Sequence, residues 1–284
     1  MDTGHTHLTF LGCGSMNEAI LGGILAGGMP PAQVSATVRR PERAAELRGR
    51  YAGLTVLASN DDPEANRTAA AGADVVVVGV KPVGVAALLA EIAPALRPGT
   101  VVISVAAAVS LELLEAGLPA GQPVIRSMPN TPSRLGRGVV SISAGTNATE
   151  ATMALAAELL SATGRVVQVP EEQVDAVSAV SGSGPAYAFY LAEAMARAGV
   201  ELGLDPELSA VLARDTVAGA GYMLAEPGAD AGVLRRAVTS PNGTTEAAIR
   251  SFDEQGLPDV VARGARAAAE RAAEITAELS AAQK

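Results

Sequence analysis

The feature that most constrains the fold is a glycine-rich loop near the start of the chain. A short apolar run, residues 8–11, leads directly into Gly12-Cys13-Gly14, and a helical pattern follows from Glu18 to about Ala26. In this setting a backbone can approach a phosphate and offer it the free N–H groups of a helix start. Gly12 permits the tight turn, and Gly14 permits the close approach. The pattern therefore predicts a dinucleotide-binding loop, with a pyrophosphate at the helix N-terminus.

Strand-like and helical patterns alternate through the first 170 residues. Further strands are predicted at residues 34–38, 54–57, 74–80, 101–105, 123–127, 139–143 and 165–169, with a helix at 149–163. The run at 74–80 is almost continuously apolar, which is typical of a parallel strand buried on both faces. The alternation predicts an α/β domain with a parallel sheet, and the directions of the last two strands stay open.

After Pro170 no strand-like run follows, and helical periods occupy the rest of the chain. They are predicted at residues 171–181, 184–203, 206–225, 230–237, 244–255 and 259–282. Proline near the starts of these segments, with Gly203 and Gly256 at ends, fits this division. The chain is therefore predicted to be an α/β protein with two domains. An N-terminal Rossmann-type dinucleotide-binding domain, residues 1–170, precedes an all-helical C-terminal domain, residues 171–284.

The helical half is rich in alanine, and its faces are more apolar than a small solvated bundle needs. Such faces favour helix packing between subunits, so a homodimer or a higher homo-oligomer formed through these helices is predicted. A composition that is merely rich in alanine is the alternative.

The charge balance and the polar start of the chain limit the partners and the location. The formal net charge over 284 residues is −9, so neither nucleic acid nor an anionic membrane surface is an expected partner. The single cysteine, Cys13, permits no internal disulfide and fits a reducing compartment. Residues 1–7 lack the pattern of a signal peptide, and the longest apolar run, residues 75–80, is too short to span a bilayer. A cytoplasmic protein is therefore predicted.

Histidine and lysine are nearly absent, which removes several mechanisms. The only histidines are His5 and His7, ahead of the first strand, and the only lysines are Lys81 and Lys284. A histidine-based triad, a His-ligated zinc site in the body of the chain and a catalytic lysine in the helical half are thereby excluded. No metal site is predicted.

Two arginines follow the second predicted strand. A dinucleotide with a free ribose 2′-hydroxyl usually meets an Asp or Glu at this point, whereas Arg39 and Arg40 suit a 2′-phosphate. NADP(H) is therefore the preferred cofactor, and NAD(H) stays possible. The alternative is a solvated arginine pair ahead of the helix that begins at Pro41.

A turn near the C-terminal end of the chain carries a cluster of hydroxyl groups. Pro241-Asn242-Gly243 is a turn signal, and a helix start with Ser or Thr at the cap and Glu246 in its first turn follows. The N–H groups of such a start favour a negative charge, and Ser240, Thr244 and Thr245 add three hydroxyls. Together they could hold a small carboxylate. An ordinary turn and helix cap is the alternative.

These motifs, taken in order along the chain, resemble those of the pyrroline-5-carboxylate reductases, which make L-proline from a cyclic imine with NAD(P)H. The resemblance covers nearly the whole chain. It is carried by Gly12–Ala19, Val78–Pro82, Ser104–Ser110, Met128–Pro132, Gly182–Tyr187 and Val238–Thr245. The last segment and Met128–Pro132 are its specific part.

Carried over position by position, the resemblance implies a substrate site and a cofactor site. The substrate carboxylate and ring are bound by Val238, Ser240, Gly243, Thr244 and Thr245. Thr245 also hydrogen-bonds the ring nitrogen and helps to supply its proton, which makes it the catalytic residue. Besides Arg39 and Arg40, the cofactor is bound by Gly12, Gly14, Ser15, Met16, Asn66, Val80, Lys81, Pro82 and Ala107. Asn66 is assigned to the adenosine ribose, and Lys81, Pro82 and Ala107 are assigned to the nicotinamide and its ribose.

The chain departs from the family pattern at three places near these sites. Asn17 stands where a small residue is usual, and Ala108 and Asn242 each replace a glycine. Asn is the residue other than glycine that best keeps a positive φ, so the turn at Asn242 is expected to survive.

The expected reaction is the reduction of 1-pyrroline-5-carboxylate to L-proline by hydride transfer from NAD(P)H. It needs neither a nucleophile nor a metal, because a protonated imine is already electrophilic and the protein has to position it. A β-hydroxyacid dehydrogenase shares the two-domain plan but needs a lysine that the helical half lacks. A reductase of a related cyclic imino acid and a non-catalytic nucleotide-sensing protein remain as alternatives.

Overall fold

The structure is a computed structural model, and it describes residues 6–281. His5, Lys284 and most of the N-terminal segment that is expected not to be a signal peptide lie outside this part of the chain. Residues Ser183–Ala267 form one compact unit, here called the helical unit. The rest of the described chain forms the other, here called the sheet unit.

The sheet unit is built on one eight-stranded sheet. Its strands are β1 (Leu8–Leu11), β2 (Val34–Val38), β3 (Thr55–Ala58), β4 (Val75–Val78), β5 (Val101–Ser104), β6 (Val124–Met128), β7 (Gly138–Ala144) and β8 (Gly164–Gln168). The spatial order is β3-β2-β1-β4-β5-β6-β7-β8. Neighbours up to β6 are parallel, β7 runs antiparallel to β6, and β8 is parallel to β7. The order reverses between β1 and β4, where ligands bind in sheets of this type.

The helices of the sheet unit cover both faces of the sheet. They are α1 (Ser15–Ala26), α2 (Pro41–Arg50), α3 (Ala65–Ala71), α4 (Val85–Ile92), α5 (Leu111–Ala116), α6 (Glu150–Ser161) and the short α7 (Val174–Val177). A π-helical turn, Ser178–Gly182, follows α7. The apolar side chains of α1, α2 and α6 join one core cluster, and those of α4 and α5 join another.

The valine run of β4 explains why both faces are filled. Val75 and Val77 belong to the core on the α1 face, whereas Val76 and Val78 belong to the core on the α4 face. Successive side chains of a strand point to opposite faces. A strand covered on both sides is therefore apolar at every position, and each buried valine contributes about 1.5 kcal/mol or more.

The helical unit contains the helices that follow the π-helical turn. They are α8 (Gly184–Glu201), α9 (Pro206–Leu224), α10 (Ala231–Ala237), α11 (Thr244–Glu254) and the first part of α12 (Leu257–Ala281). Helices α8 and α9 approach closely at Gly199, where a Cβ would lie 2.0 Å from the Ser209 hydroxyl oxygen. That hydroxyl donates a hydrogen bond to the Ala196 carbonyl, at 2.8 Å.

The helical unit has little interior of its own. Ser209 and Ala213 are its only buried residues among those described. Large apolar side chains are instead exposed along its helices, among them Phe189, Tyr190, Leu191, Leu202, Met223 and Phe252. Exposed apolar surface of this kind is typical of an interaction site.

The fold class expected from the sequence is confirmed: a Rossmann-type α/β domain precedes an all-helical domain. The predicted strands 8–11 and 34–38 coincide with β1 and β2. The segment 171–181 is less regular than predicted, because a 3₁₀ turn, α7 and the π-helical turn share it. The structure also gives the directions of β7 and β8, which the sequence left open. The assignment of residues 1–170 and 171–284 to separate ligand-binding roles stays a prediction.

Candidate active site

The glycine loop after β1 is shaped by two close approaches. Gly12 has φ of +72°, and a Cβ there would lie 2.4 Å from Cγ1 of Val80. The Gly14 N–H donates to the Gly12 carbonyl at 2.7 Å. Gly14 caps α1 without any side-chain hydrogen bond. The backbone N–H groups at the start of α1, at Ser15 and Met16, therefore have no side-chain cap, as a pyrophosphate site requires.

Asn17 takes the place of the small residue usual in this loop, and Gly79 makes room for it. The Asn17 side chain is fully buried, and its Nδ2 donates to the carbonyls of Leu11 (3.2 Å), Gly12 (3.4 Å) and Val77 (3.4 Å). A Cβ on Gly79 would lie 2.3 Å from the Asn17 amide. Asn17 thus ties the end of β1 to the end of β4, and the departure from the family pattern fits the fold.

Arg39 and Arg40 follow β2 and are both exposed. Within residues 6–281 neither takes part in an ion pair, in contrast to Arg43, which pairs with Glu18 and Glu46. The Arg39 backbone is held, because its carbonyl accepts a hydrogen bond from the Asn60 N–H at 3.0 Å. Two guanidinium groups on a fixed backbone suit the binding of a phosphate.

The strand register places the other predicted cofactor residues at one edge of the sheet. Leu11 pairs with Val78, and Val78 pairs with Ser104. The segments that follow β1, β4 and β5 therefore leave the sheet side by side, and they carry Gly12, Val80-Lys81-Pro82 and Ala107. Lys81 and Ala107 are exposed.

Asn66, the predicted contact of the adenosine ribose, forms a hydrogen bond with a neighbouring helix. Its Nδ2 donates to Oε2 of Glu91 on α4 at 3.3 Å. The structure therefore ties this side chain to a neighbouring helix and not to the glycine loop, and its cofactor role stays a prediction.

Cys13 lies inside the loop, but it is not a reactive thiol. The side chain is 2% exposed, and burial, assisted by the charge of Glu18, raises its pKa to about 12. The reactive form of cysteine is the thiolate, which is scarce at neutral pH for such a group. Cys13 therefore acts as a small apolar side chain.

The Met128–Pro132 loop holds the π-helical turn in place. The Asn130 side chain is buried, its Nδ2 donates to the Ser181 carbonyl at 2.9 Å, and its Oδ1 accepts from the Val139 N–H at 3.0 Å. Gly182 packs against Met128, since a Cβ at Gly182 would lie 3.0 Å from the Met128 Cε. This loop is a specific part of the family resemblance, but the sequence did not indicate these contacts.

A buried ion pair was also missed. Arg126 on β6 is 6% exposed, and its Nη1 lies 2.9 Å from Oε1 of Glu171. The same carboxylate oxygen accepts a hydrogen bond from the Leu111 N–H, at the start of α5, at 2.6 Å. Asp175 on α7 lies 3.7 Å from the guanidinium. An arginine within an apolar strand was the available signal, because a buried charge needs a partner.

The predicted substrate residues lie in the helical unit, around the turn between α10 and α11. The Gly243 N–H donates to the Ser240 carbonyl at 3.0 Å, and Asn242 has φ of +58°. Proline at the second position and a left-handed residue at the third are the pattern of a type II turn. Ser240 and Thr244 are exposed and Thr245 is half-buried. Val238, at the C-terminal cap of α10, is exposed.

Helix α11 begins without a cap of its own. The Ser or Thr cap expected from the sequence is wrong: the N-cap is Gly243, which offers no side chain to the first N–H groups, and Thr244 is already the first residue of the helix. By contrast, Ser110, Thr149, Asp205 and Asp230 cap α5, α6, α9 and α10 with their side-chain oxygens. The start of α11 therefore keeps the capacity to bind an external anion.

Two absences complete the description of residues 6–281. In that range, no three His, Cys, Asp or Glu side chains come together as metal ligands do. No helix in the same range is both long and apolar enough to cross a bilayer.

Comparison with known proteins covers both parts of the chain. A family model described as pyrroline-5-carboxylate reductase dimerisation matches residues 171–275. A model described as NADP oxidoreductase coenzyme F420-dependent matches residues 7–108. The pyrroline-5-carboxylate reductase of Pseudomonas aeruginosa is 42% identical over 96% of this chain and 97% of its own. The enzyme of Corynebacterium melassecola is 39% identical over 95% of this chain and 98% of its own.

A solved structure shows the same likeness. The pyrroline-5-carboxylate reductase of Coxiella burnetii superposes with a TM-score of 0.88 at 34% identity, and the match covers 95% of this chain and 98% of that one. Together with the fold and the glycine loop, these likenesses define an oxidoreductase that uses a nicotinamide dinucleotide. Within that class, the chain belongs to the pyrroline-5-carboxylate reductase family.

Proposed function

We infer that this chain reduces 1-pyrroline-5-carboxylate to L-proline with NAD(P)H, the last step of proline biosynthesis. The observation that carries the inference is the start of α11. This helix has a glycine as its N-cap, so no side chain occupies its first N–H groups. Together with the hydroxyls of Ser240, Thr244 and Thr245, such a start fits a small carboxylate like that of the substrate. Relatives of the same family over nearly the whole chain support the reaction.

The substrate site follows from the residues of this turn. The uncapped N–H groups of α11 and the Ser240 hydroxyl hold the carboxylate. Val238, Gly243 and Thr244 line the space for the ring. The Thr245 hydroxyl donates a hydrogen bond to the ring nitrogen and helps to supply its proton. Since the reaction adds one hydride to the imine carbon and one proton to the nitrogen, fixed orientation is the main task of the protein.

The residues of the sheet unit suit the cofactor. The uncapped start of α1 fits a pyrophosphate, and the backbone of Gly12 and Gly14 leaves room for it. Ser15, Met16, Val80, Lys81, Pro82 and Ala107 complete the site, with Asn66 at the adenosine ribose. When bound, the dinucleotide supplies the hydride. NADP(H) is preferred because Arg39 and Arg40 are exposed and free of ion pairs within the described chain, and NAD(H) stays possible.

The remaining proposals concern assembly and location. The exposed apolar side chains of the helical unit support a homodimer or a higher homo-oligomer formed through its helices. The single buried thiol fits a cytoplasmic location. The net charge of −9 makes nucleic acid and anionic membranes poor partners.

The first experiment is NADPH oxidation by the purified protein with 1-pyrroline-5-carboxylate, and with its six-membered homologue alongside. We expect rapid turnover with preference for the five-membered ring. Faster turnover of the larger ring would assign the chain to a related cyclic imino acid. Binding of NADPH without turnover of either imine would indicate a nucleotide-sensing protein.

The Thr245→Ala variant tests the proposed proton contact. We expect kcat to fall roughly ten- to a hundredfold, because one hydrogen bond to a charged group is lost in the transition state. The Kd for NADPH should not change, because Thr245 belongs to the substrate turn. A variant with the wild-type kcat would remove Thr245 from the mechanism.

A further inference from the structure

The turn that precedes α11 is tied to the helix by a side chain to which no role has been assigned. The Asn242 N–H donates a hydrogen bond to Oε2 of Glu246 at 2.7 Å. Glu246 is the third residue of α11, and Asn242 is the left-handed residue of the turn. The turn is thereby closed twice, since the Gly243 N–H also binds the Ser240 carbonyl.

The direction of this contact matters for the carboxylate site. An acidic side chain at the third position of a helix commonly reaches back to the N–H of the capping residue. Here the carboxylate of Glu246 reaches one residue further back, to Asn242, and Gly243 has no side chain that could cover the helix start. The amide groups at Thr244 and Thr245 therefore keep no side-chain cap, while the turn beside them is held in one conformation.

The N–H of the third residue in such a turn usually points to solvent. Without Glu246, the Asn242 N–H would have water as its partner. The turn would then rest on the Gly243 N–H bond to the Ser240 carbonyl and on the tolerance of asparagine for the left-handed conformation. The turn that carries Ser240 would then be held less firmly beside the start of α11.

We propose that Glu246 is a positioning residue, which holds the Ser240–Gly243 turn in the conformation that binds the substrate carboxylate. The proposal rests on the proposed function. It assigns the effect to a hydrogen bond and not to the negative charge of Glu246, since a second carboxylate near the site repels that of the substrate.

Three substitutions separate the hydrogen bond from the charge. Glu246→Ala removes both. Glu246→Gln keeps an oxygen that can accept the Asn242 N–H but removes the charge. Glu246→Asp keeps the charge on a side chain that is one methylene shorter and does not reach Asn242. The matched control is Glu254→Ala, which removes an exposed carboxylate at the other end of the same helix.

The expected result is a change confined to the KM for the substrate. In Glu246→Ala and Glu246→Asp, the KM for 1-pyrroline-5-carboxylate should rise about tenfold, a factor that the loss of one hydrogen bond can produce. In both variants kcat should stay within about threefold and the KM for NADPH should not change. Glu246→Gln and Glu254→Ala should behave like the wild type within about threefold.

Hydrogen exchange of the segment 238–246, without ligand, gives a readout that does not depend on turnover. Protection of the Asn242 amide should be lost in Glu246→Ala and Glu246→Asp and kept in Glu246→Gln. If the wild type fails to reduce the imine, the proposed function falls while the exchange data still decide the role of Glu246. The proposal is overturned if Glu246→Asp keeps the wild-type KM and protection, or if Glu246→Gln loses them.

Discussion

Between residues 6 and 281, two residues other than glycine have a positive φ, and both lie in loops assigned to ligands. Asn242 has φ of +58° in the substrate turn, and Ala108 has φ of +57° in the loop after β5. Asparagine tolerates this conformation, whereas alanine pays about 1 kcal/mol or more for it. Ala108 is adjacent to Ala107, the predicted neighbour of the nicotinamide. The backbone strain of the sheet unit therefore lies next to the proposed cofactor site, where strain is commonly stored.

A single methyl group at Gly79 is expected to disturb the glycine loop. In Gly79→Ala the new Cβ would lie 2.3 Å from the amide of Asn17, which is buried and bonded to three carbonyls. We expect a loss of about 1–3 kcal/mol in the free energy of unfolding and weaker NADPH binding. Denaturant unfolding and a fluorescence titration of NADPH measure the two effects.

Gly72→Ala is the matched control, because nothing lies within 4 Å of a Cβ at that position. The double variant Asn17→Ala/Gly79→Ala should be less destabilised than the sum of its two single variants, since the contact is then absent. If Gly79→Ala is as stable as Gly72→Ala, the close contact has no energetic consequence.

The arginine pair after β2 gives a prediction about the cofactor. Replacing Arg39 with Asp and Arg40 with Ser removes two charges available to a 2′-phosphate and adds an acceptor for a 2′-hydroxyl. The ratio of kcat/KM for NADPH to that for NADH should fall roughly ten- to a hundredfold. Steady-state kinetics with both dinucleotides measure this ratio.

Arg97→Ser is the control for that experiment. Arg97 is an exposed arginine that precedes β5, so it lies at the opposite edge of the sheet, and it pairs with Asp74. Its loss should leave the cofactor ratio unchanged. An unchanged ratio in the Arg39/Arg40 variant would mean that these arginines are only solvated.

At the scale of whole elements, Glu171 connects three parts of the sheet unit. Its carboxylate binds the buried Arg126 of β6 and the N–H of Leu111 at the start of α5, while Glu171 itself begins the 3₁₀ turn that leads into α7. A buried ion pair is weak evidence of added stability, but breaking one leaves an unpaired charge in the interior. Glu171 therefore helps to fix the start of α7 against β6 and α5, beside the contact that Asp175 makes with Arg126.

Glu171→Ala should destabilise the sheet unit by about 2–3 kcal/mol. The value lies below the usual cost of breaking a fully buried pair because Glu171 is about a third exposed and Asp175 stays within 3.7 Å of Arg126. Urea unfolding followed by circular dichroism measures the loss. Glu172→Ala removes the exposed neighbouring carboxylate and is the control. Equal midpoints for the two variants would show that Arg126 is satisfied without Glu171.

At the scale of the whole molecule, the helical unit explains why a family of this kind carries a dimerisation domain. Its exposed side chains include aromatic and long aliphatic residues, such as Phe189 (68% exposed) and Leu202 (85% exposed). A composition that is merely rich in alanine does not account for these. Burial of such side chains against a second chain would supply the apolar core that the unit lacks.

Phe189→Asp is expected to weaken the assembly. A charge placed at a desolvated interface is costly, so the sedimentation coefficient should fall toward that of a single chain of 28.4 kDa. Analytical ultracentrifugation at micromolar concentration checks this. Leu135→Asp, at an exposed residue of the sheet unit (81% exposed), should keep the mass of the wild type. A wild type that sediments as a single chain would refute the proposed assembly.

Much of the proposed site could be predicted from short stretches of sequence. The strand, glycine loop and helix at Gly12, and the turn at Pro241-Asn242-Gly243, depend on φ preferences and on hydrogen bonds within a few residues. The role proposed for Arg39 and Arg40 also follows from their position directly after a strand. The hydrogen bonds of Asn17 to Val77, of Arg126 to Glu171 and of Asn130 to Ser181 could not be predicted in this way, because each joins two distant segments of the chain.

The sequence by itself determined the order of strands and helices, the change to helices after Pro170, the glycine loop before α1 and the absence of histidine or lysine chemistry. These features arise from local periodicity and from residue identity. Only the tertiary structure decided the antiparallel direction of β7, the fit of Asn17 against Gly79, and the buried pair of Arg126 and Glu171. The physical reason is that such contacts depend on which strands become neighbours and on how side chains fill the space between them, and no short stretch of the chain specifies either.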